Sequence, residues 1–396
     1  MSWTKTTIGE HCIVTSSKRF HLSERSSEGV PFYCSKEIIQ KTNGQEVTEC
    51  DYIREEFYES VKKQFGVPQA GDLLITTRGT YGIPYIYADT DRFYFADGNL
   101  TWLKDFDDSL IPQYLYYWVL SHEGQKKIDA IAKGTAQKAV PIAAIKLLEI
   151  QLPPIEIQQR IADILSTYDN LIENNQKQIK LLEEAAQRLY KEWFVDLRFP
   201  GYEDTPVVDG VPEGWKKQAL SEIADVVMGQ SPKSEFYNQE RKGLPFHQGV
   251  GSYRTRFVKD ETYSTSFTRI AEANSVLFSV RAPVGRLNIT KNKIVIGRGL
   301  AAINHKAGCQ SYLFYLLKER FFKDDIIGNG SIFASISKDE LLGQKFVVPD
   351  KDLILRFNGL VAQIDEKIAG LDGQIELLKE ARDRLLPKLM SGEVEV

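Results

Sequence analysis

The residues QIKLLEEAAQRL at 178–189 and QIELLKEARDRL at 374–385 are one amphipathic segment written twice. Nothing else in the chain limits its fold so strongly, because a segment repeated across such a separation implies that what lies between is repeated too. Residues 168–190 aligned on 364–386 share ten identities: Asp169, Ile172, Gln178, Ile179, Leu181, Leu182, Glu184, Ala185, Arg188 and Leu189 fall on Asp365, Ile368, Gln374, Ile375, Leu377, Leu378, Glu380, Ala381, Arg384 and Leu385. Upstream, KGTAQKAV (133–140) falls on NGSIFASI (329–336), LLITTRGTYG (73–82) on VLFSVRAPVG (276–285), and Trp3 with Glu10 on Trp215 with Glu222. The whole chain therefore reads as a degenerate tandem duplication, with a period far beyond the roughly 50 residues of a solenoid repeat.

The repeated segments ask to be helices. Apolar positions Ile161, Ile164, Leu171, Ile179, Leu182 and Leu189 recur in steps of three, seven and eight, and Leu360, Ile364, Leu371, Ile375, Leu378 and Leu385 in steps of three, four and seven, each close to one or two helical turns. Such a stripe keeps one seam turned toward a partner helix. Pro153-Pro154 and Pro200 bracket the first copy, Pro349 and Pro387 the second, because proline starts or stops a helix but does not continue one. Each helix then runs to about 35–40 residues, some 55–60 Å at 1.5 Å per residue. Parallel packing would stretch DLRFPGYEDTPVVDGVPEGW (196–215) taut across that distance, yet its Pro, Gly and acidic residues read as turns. The helices are thus expected to pair antiparallel, as a rigid spacer between two lobes.

Those lobes mix short β-rich runs (DLLITTR, IPYIYA, SVLFSVRA, KIVIG) with helical stretches (PQYLYYWVLSHEGQKKIDAI, CQSYLFYLLKERFFKDDII). The expected class is α+β: residues 1–153 as one lobe, 154–196 as the central helix, 197–349 as the second lobe and 350–396 as the last helix, with internal pseudo-two-fold symmetry. Each lobe is read as one curved sheet under one or two helices. No apolar run approaches the roughly 18 residues of a membrane span, and MSWTKTTIGE lacks a signal-peptide core, so a cytoplasmic protein is expected. Four cysteines without a CxxC pair and five histidines without HxxxH spacing support neither a disulfide framework nor a metal site. Phosphate-loop, GxGxxG and methyltransferase [N/D]-P-P-[F/Y] signatures are absent, so the chain reads as a binder that is not itself an enzyme.

Charge suggests what is bound. Residues 1–150 sum to −3 and residues 215–350 to +7, within a total of −4. In the second lobe Arg254, Arg256, Arg281, Arg286 and Arg298 interleave with Tyr253, Phe257 and Tyr263, a composition suited to phosphate and base-edge contacts.

The order of a variable lobe, LPPIEIQQRIADIL, VPEGWKKQALSEIADVVMGQSPKSEFYN with GLPFHQG, a second lobe and a matching helix resembles the specificity subunit of type I restriction-modification systems across essentially the whole chain. That resemblance implies two target recognition domains reading an asymmetric, gapped duplex target. It implies that the repeated helices dock two modification (methyltransferase) subunits, with ATP-driven restriction subunits added for cleavage. AdoMet, ATP and magnesium would belong to those partners, none to this chain. The docking helices would carry the twelve stripe residues named above.

Candidate readers lie where the two lobes repeat each other. Arg78 and Arg281 stand at one place in the strand-to-turn stretches TTRGTYG and SVRAPVG, with Gly79 and Thr80 beside the first. Lys133, Thr135, Gln137 and Lys138 form a polar set matched by Ser331, while Ser231, Lys233, His247, Gln248, Arg254, Arg286 and Arg298 supply polar groups in the second lobe and Lys18 and Arg19 in the first. Two other readings stay open from the residues alone: a scaffold joining two protein-binding modules, and a solitary enzyme with an unrecognised site.

Overall fold

The computed structural model describes residues 3–21, 24–134, 138–321 and 335–396. Two compact units emerge, one from Met1–Lys177 with Asp372–Val396, the other from Gln178–Leu371. Each holds one lobe and one half of each long helix, and they are described in turn.

In the first unit, strand Thr4–Thr7 pairs antiparallel with Glu149–Leu152. A four-stranded sheet follows in the order Ile13–Thr15, Leu100–Lys104, Leu73–Thr76, Pro84–Ile86. Leu73–Thr76 is buried at every position, which explains why its sequence runs apolar without alternating. A second sheet takes the order Arg25–Ser26, Asp51–Ile53, Val30–Tyr33, Tyr94–Phe95, its last pair parallel. Helices Pro112–Leu120 and His122–Ile131 cover this lobe's core. Proline opens the first of them, where a missing N–H costs nothing. Ser121 separates them: its hydroxyl donates to the Trp118 carbonyl at 2.6 Å and accepts the Gly124 N–H at 3.1 Å. Only glycine fits at 124, since a Cβ there would sit 2.0 Å from the Trp118 carbonyl oxygen.

The second unit repeats this plan with one strand added. Lys216–Ala219 pairs with Lys345–Val348. Ala224–Met228, Leu300–His305, Val276–Ser279 and Leu287–Ile289 form the four-stranded sheet. Tyr237–Asn238, Tyr263–Ser264, Leu244–His247 and Ile294–Ile296 form the other, again with a parallel third pair, and Ile270–Ala271 adds an edge. Gln310–Phe321 is the covering helix. Each lobe thus carries two sheets and a ribbon where one curved sheet was expected; the chain crosses between sheets at turns that periodicity does not reveal.

The long helices are Ile155–Tyr190, continued by a wider π turn over Lys191–Val195, and Lys351–Met390. Within the first unit Asp169 meets Arg382 at 2.6 Å and Asn175 meets Gln374 at 3.2 Å. Within the second, Tyr190 packs on Phe357 at 5.7 Å between ring centroids. Glu183 and Asp365 of the same unit both reach Arg256, so in each unit rising numbers on one helix meet falling numbers on the other, and the paired halves run antiparallel as the sequence led us to expect. The seam of the first unit buries Ile161, Leu165, Ile172 and Ile375, that of the second Ile179, Ala186, Phe357, Val361 and Leu371. Each such side chain contributes about 1.5–3 kcal/mol by leaving water, while the Asn175–Gln374 pair fixes register rather than adding stability.

Pro387 does not end the second helix, which runs on to Met390. Proline forfeits one hydrogen bond to the preceding turn, but Leu389 and Met390 are 1% and 4% exposed in the first unit's core and hold the last turn in place.

Candidate nucleic-acid interface

The two arginine-bearing turns are closed by the same hydrogen bonds. Gly82 N–H donates to the Thr76 carbonyl at 2.8 Å and Gly285 N–H to the Ser279 carbonyl at 3.0 Å. The hydroxyl within each turn accepts a second N–H, from Ile83 to Thr76 Oγ1 at 3.0 Å and from Arg286 to Ser279 Oγ at 2.8 Å. Gly82 and Gly285 hold φ of 78° and 88°, a region that side chains with a Cβ avoid. Arg78, Gly79 and Thr80 stand exposed on one turn and Arg281 on the other.

A returning segment is stitched beneath each turn. Lys133 and Ala139 exchange two backbone hydrogen bonds of 2.8 Å, and Val140 N–H donates to the Thr77 carbonyl at 2.8 Å. The counterpart is Ile336 N–H to the Val280 carbonyl at 3.0 Å. Backbone bridges join Arg78 to Ala139 and Arg281 to Ser335. In the first unit this gathers Arg78, Lys133 and Lys138, all exposed and none ion-paired among the described residues. An exposed guanidinium with no carboxylate partner keeps its donors available for a guanine edge or a phosphate. Thr135, Gln137 and Ser331 lie outside the described residues.

The strand below adds a third segment, tied by Thr77 N–H to Asn99 at 2.7 Å and Val280 N–H to Gly299 at 2.9 Å. Here the units differ. In the first, Arg19 is ion-paired with Asp97 at 2.9 Å and Lys18 lies over the Phe65 ring at 5.0 Å. In the second, Ser231 Oγ donates to Gln248 Oε1 at 2.7 Å and accepts the Arg298 N–H at 3.3 Å. A Cβ at Gly297 or Gly299 would sit 2.7 Å from Gln248 Oε1 or 2.5 Å from its carbonyl, so the backbone grips Gln248 closely. Ser231, Gln248 and an exposed Arg298 side chain, without an ion-pair partner among the described residues, are thereby brought together. Lys233 is exposed on the neighbouring turn, 4.0 Å from Glu235. Arg254 is half exposed, hydrogen-bonding the Tyr253 carbonyl at 2.9 Å and Glu261 at 3.3 Å, and Arg286 is partly buried.

Three expectations are corrected. His247 is 1% exposed, its Nε2 2.9 Å from Asp260, so it braces the sheet and presents no edge to a ligand. Arg256 is 2% exposed and Phe257 8%, so the interleaved arginines and aromatics are not one surface stripe. Most of the helix stripe read as docking residues is spent inside the molecule: Ile161, Ile179, Leu371 and Ile375 are buried and Ile164, Leu182, Leu189, Ile364, Leu378 and Leu385 partly so, leaving Leu171 and Leu360 at 45% and 47% exposure. On the two long helices the most open large apolar positions are Leu181 and Leu377, at 65% and 67%. They are matched residues of the internal repeat, a sign visible in the alignment but masked by the stronger seam.

Among the described residues no group of three or more His, Cys, Asp or Glu side chains is placed to hold a metal, and no helix is long and apolar enough to cross a membrane.

Two matching α+β lobes, each with a glycine-bounded arginine turn at its edge and each built onto a half of a helix pair, define a duplicated nucleic-acid-reading subunit. The chain belongs to the type I restriction modification DNA specificity domain family, whose model matches residues 2–184 and 212–369. It is 31% identical to a sequence named for the MjaX type I restriction enzyme specificity subunit of Methanocaldococcus jannaschii, over 89% of this chain and 84% of that one. The HindI specificity subunit of Haemophilus influenzae is 23% identical over 82% and 86%. In fold, the type I restriction-modification S subunit of M. genitalium superposes with a TM-score of 0.61 at 18% identity, covering 98% of this chain and 96% of that one.

Proposed function

We propose that this specificity subunit reads an asymmetric, bipartite duplex target, one half-site per lobe. Arg78, Lys133 and Lys138 serve the first half-site, and Arg281, Ser231, Gln248 and Arg298 the second. The observation that carries this reading is the arginine turn, closed alike in both units with its guanidinium free of any carboxylate among the described residues. Asymmetry follows because the flanking turns differ, acidic and paired in one lobe, basic in the other. Two modification subunits dock on the outward helix faces at Leu181 and Leu377, since two copies of one apolar position suit two copies of one partner. Restriction subunits join that assembly in the cytoplasm. Catalysis, AdoMet, ATP and magnesium belong to those partners, and this chain supplies the address.

A mobility-shift assay with and without the modification subunits tests the reading. Sequence-selective retention with them present is expected; no preference among DNA sequences in either sample overturns it in favour of a protein scaffold. Inserting four residues into each long helix at matched places lengthens each by about 6 Å. The unread gap of the target is then expected to grow by about one or two base pairs, and an unchanged gap removes the helices as its determinant.

A further inference from the structure

The loop that carries Arg254 at the surface sends Arg256, two residues on, into the interior of the same unit. There its guanidinium lies face-on over the Phe314 ring at 3.6 Å, 2.5 Å from Asp365 on the second long helix and 4.0 Å from Glu183 on the first. Its carbonyl accepts the Ile289 N–H at 3.0 Å, and Asn288 Nδ2 donates to the Arg254 carbonyl at 2.7 Å. The loop is thus tied to the sheet by its backbone and to both helices by one side chain.

A buried ion pair adds little stability over a well-packed apolar residue of the same volume. What a planar guanidinium adds is direction: stacking fixes its plane, and carboxylates at its edge fix its rotation. We propose that Arg256 is a positioning residue, which sets the attitude of the second lobe on the helices of its unit and so restricts the target to one gap length. This rests on the bipartite reading above.

The first unit supplies the contrast. Asp169, the residue matching Asp365, accepts the Tyr117 hydroxyl of the lobe at 2.7 Å, but its arginine partner, Arg382 at 2.6 Å, comes from the other long helix and so ties helix to helix rather than lobe to helix. Losing it leaves lobe and helix joined by everything else.

The test is methylation by the assembled complex on duplexes carrying both half-sites, with the gap varied one base pair at a time. The Arg256→Met variant is expected to keep both half-site sequences while its discrimination against neighbouring gap lengths falls about tenfold, the size of a typical coupling between contacting buried residues. Arg382→Met is expected to keep the wild-type gap discrimination. Should Arg256→Met fail to fold by circular dichroism, Arg256→Met with Asp365→Leu removes both charges and carries the same expectation. Wild-type gap discrimination in the folded variant, altered half-site bases, or equal relaxation in Arg382→Met overturns the inference. A wild-type complex without half-site selectivity overturns the bipartite reading instead, and this inference with it.

Discussion

Where the first unit closes its edge turn with Asp97, ion-paired to Arg19, the second places Arg298 on a turn whose glycines grip Gln248. Beneath these differences the scaffold bonds are the same. Glu10 and Glu222 each accept a backbone N–H three residues earlier, from Thr7 at 3.4 Å and Ala219 at 2.9 Å. An amide on a long helix satisfies the start of each covering helix, but from different turns: Gln158 Oε1 takes the Ile111 N–H at 3.0 Å and Asn358 Oδ1 the Tyr312 N–H at 3.2 Å. A tyrosine hydroxyl reaches Asp169 from Tyr117 at 2.7 Å, and Tyr315 lies 3.5 Å from the Arg256 that pairs with Asp365. Divergence has been free to change which residue makes a bond while the bond stays, because a buried donor left unmade costs about 1–3 kcal/mol. At the exposed edge no such penalty applies, and there the charges differ outright.

The largest loss is expected in the second unit, where Asp365→Ala leaves a guanidinium that is 2% exposed with only the more distant Glu183, at 4.0 Å, and destabilises by about 3 kcal/mol. Arg382→Ala removes a guanidinium that is 27% exposed and leaves Asp169 with the Tyr117 hydroxyl, and is expected to cost the first unit only about 1 kcal/mol. Denaturant unfolding followed unit by unit reads the difference, and equal costs would break the contrast in burial. Next come the helix-start amides. Gln158→Ala removes partners from Ile111 N–H and from the Ser109 and Pro153 carbonyls, for about 2–3 kcal/mol. Asn358→Ala strands the Tyr312 N–H alone among those groups, for about 1 kcal/mol. Thermal melts of the two variants rank them.

At the interface, Arg78→Ala and Arg281→Ala are each expected to lose about 1–3 kcal/mol of discrimination at one base position, in different half-sites. Competition binding against single-base variants of the target checks this, and a loss shared equally by all sequences would reassign both arginines to phosphate. Arg298→Ala is expected to lower the salt slope of binding by about one, and Arg19→Ala by less because Asp97 already occupies Arg19. The smallest effect is one of pH. Burial holds the His305 imidazole below its usual value, so the fold favours the neutral ring. Its contribution is whole above the unfolded value near 6.5 and is lost as the pH falls through the lowered one. His305→Gln is therefore expected to lose less melting temperature than the wild type between about pH 7.5 and about pH 5.5. The first unit has Asp105 at the corresponding place, after the matching strand.

Much of this comparison is legible before any coordinates. The duplication, the proline-limited start of the first long helix and the equivalence of the Arg78 and Arg281 turns all follow from periodicity and alignment. Their physical basis is local: helix pitch, a missing N–H, glycine at positive φ. What the sequence conceals is long-range. Nothing in SYRTRFVKD says that Arg254 faces water while Arg256 stacks on Phe314, since the distinction depends on helix residues far along the chain, Asp365 lying 109 positions away. His247 and Pro387 misled for the same reason, each answered by a partner or a core that local pattern does not name. The split of each lobe into two sheets depends on a parallel strand pair between distant segments, Val30–Tyr33 with Tyr94–Phe95 in one unit and Leu244–His247 with Ile294–Ile296 in the other.

The burial of Leu389 and Met390 in the core that holds Ile8 and Trp118 bears on how the molecule is made. All of Gln178–Leu371 must leave the ribosome before that core can close, a wait of about 10–40 s at ordinary elongation rates. The middle of the chain is continuous and can finish first, so the lobe synthesised before it is sealed only after it.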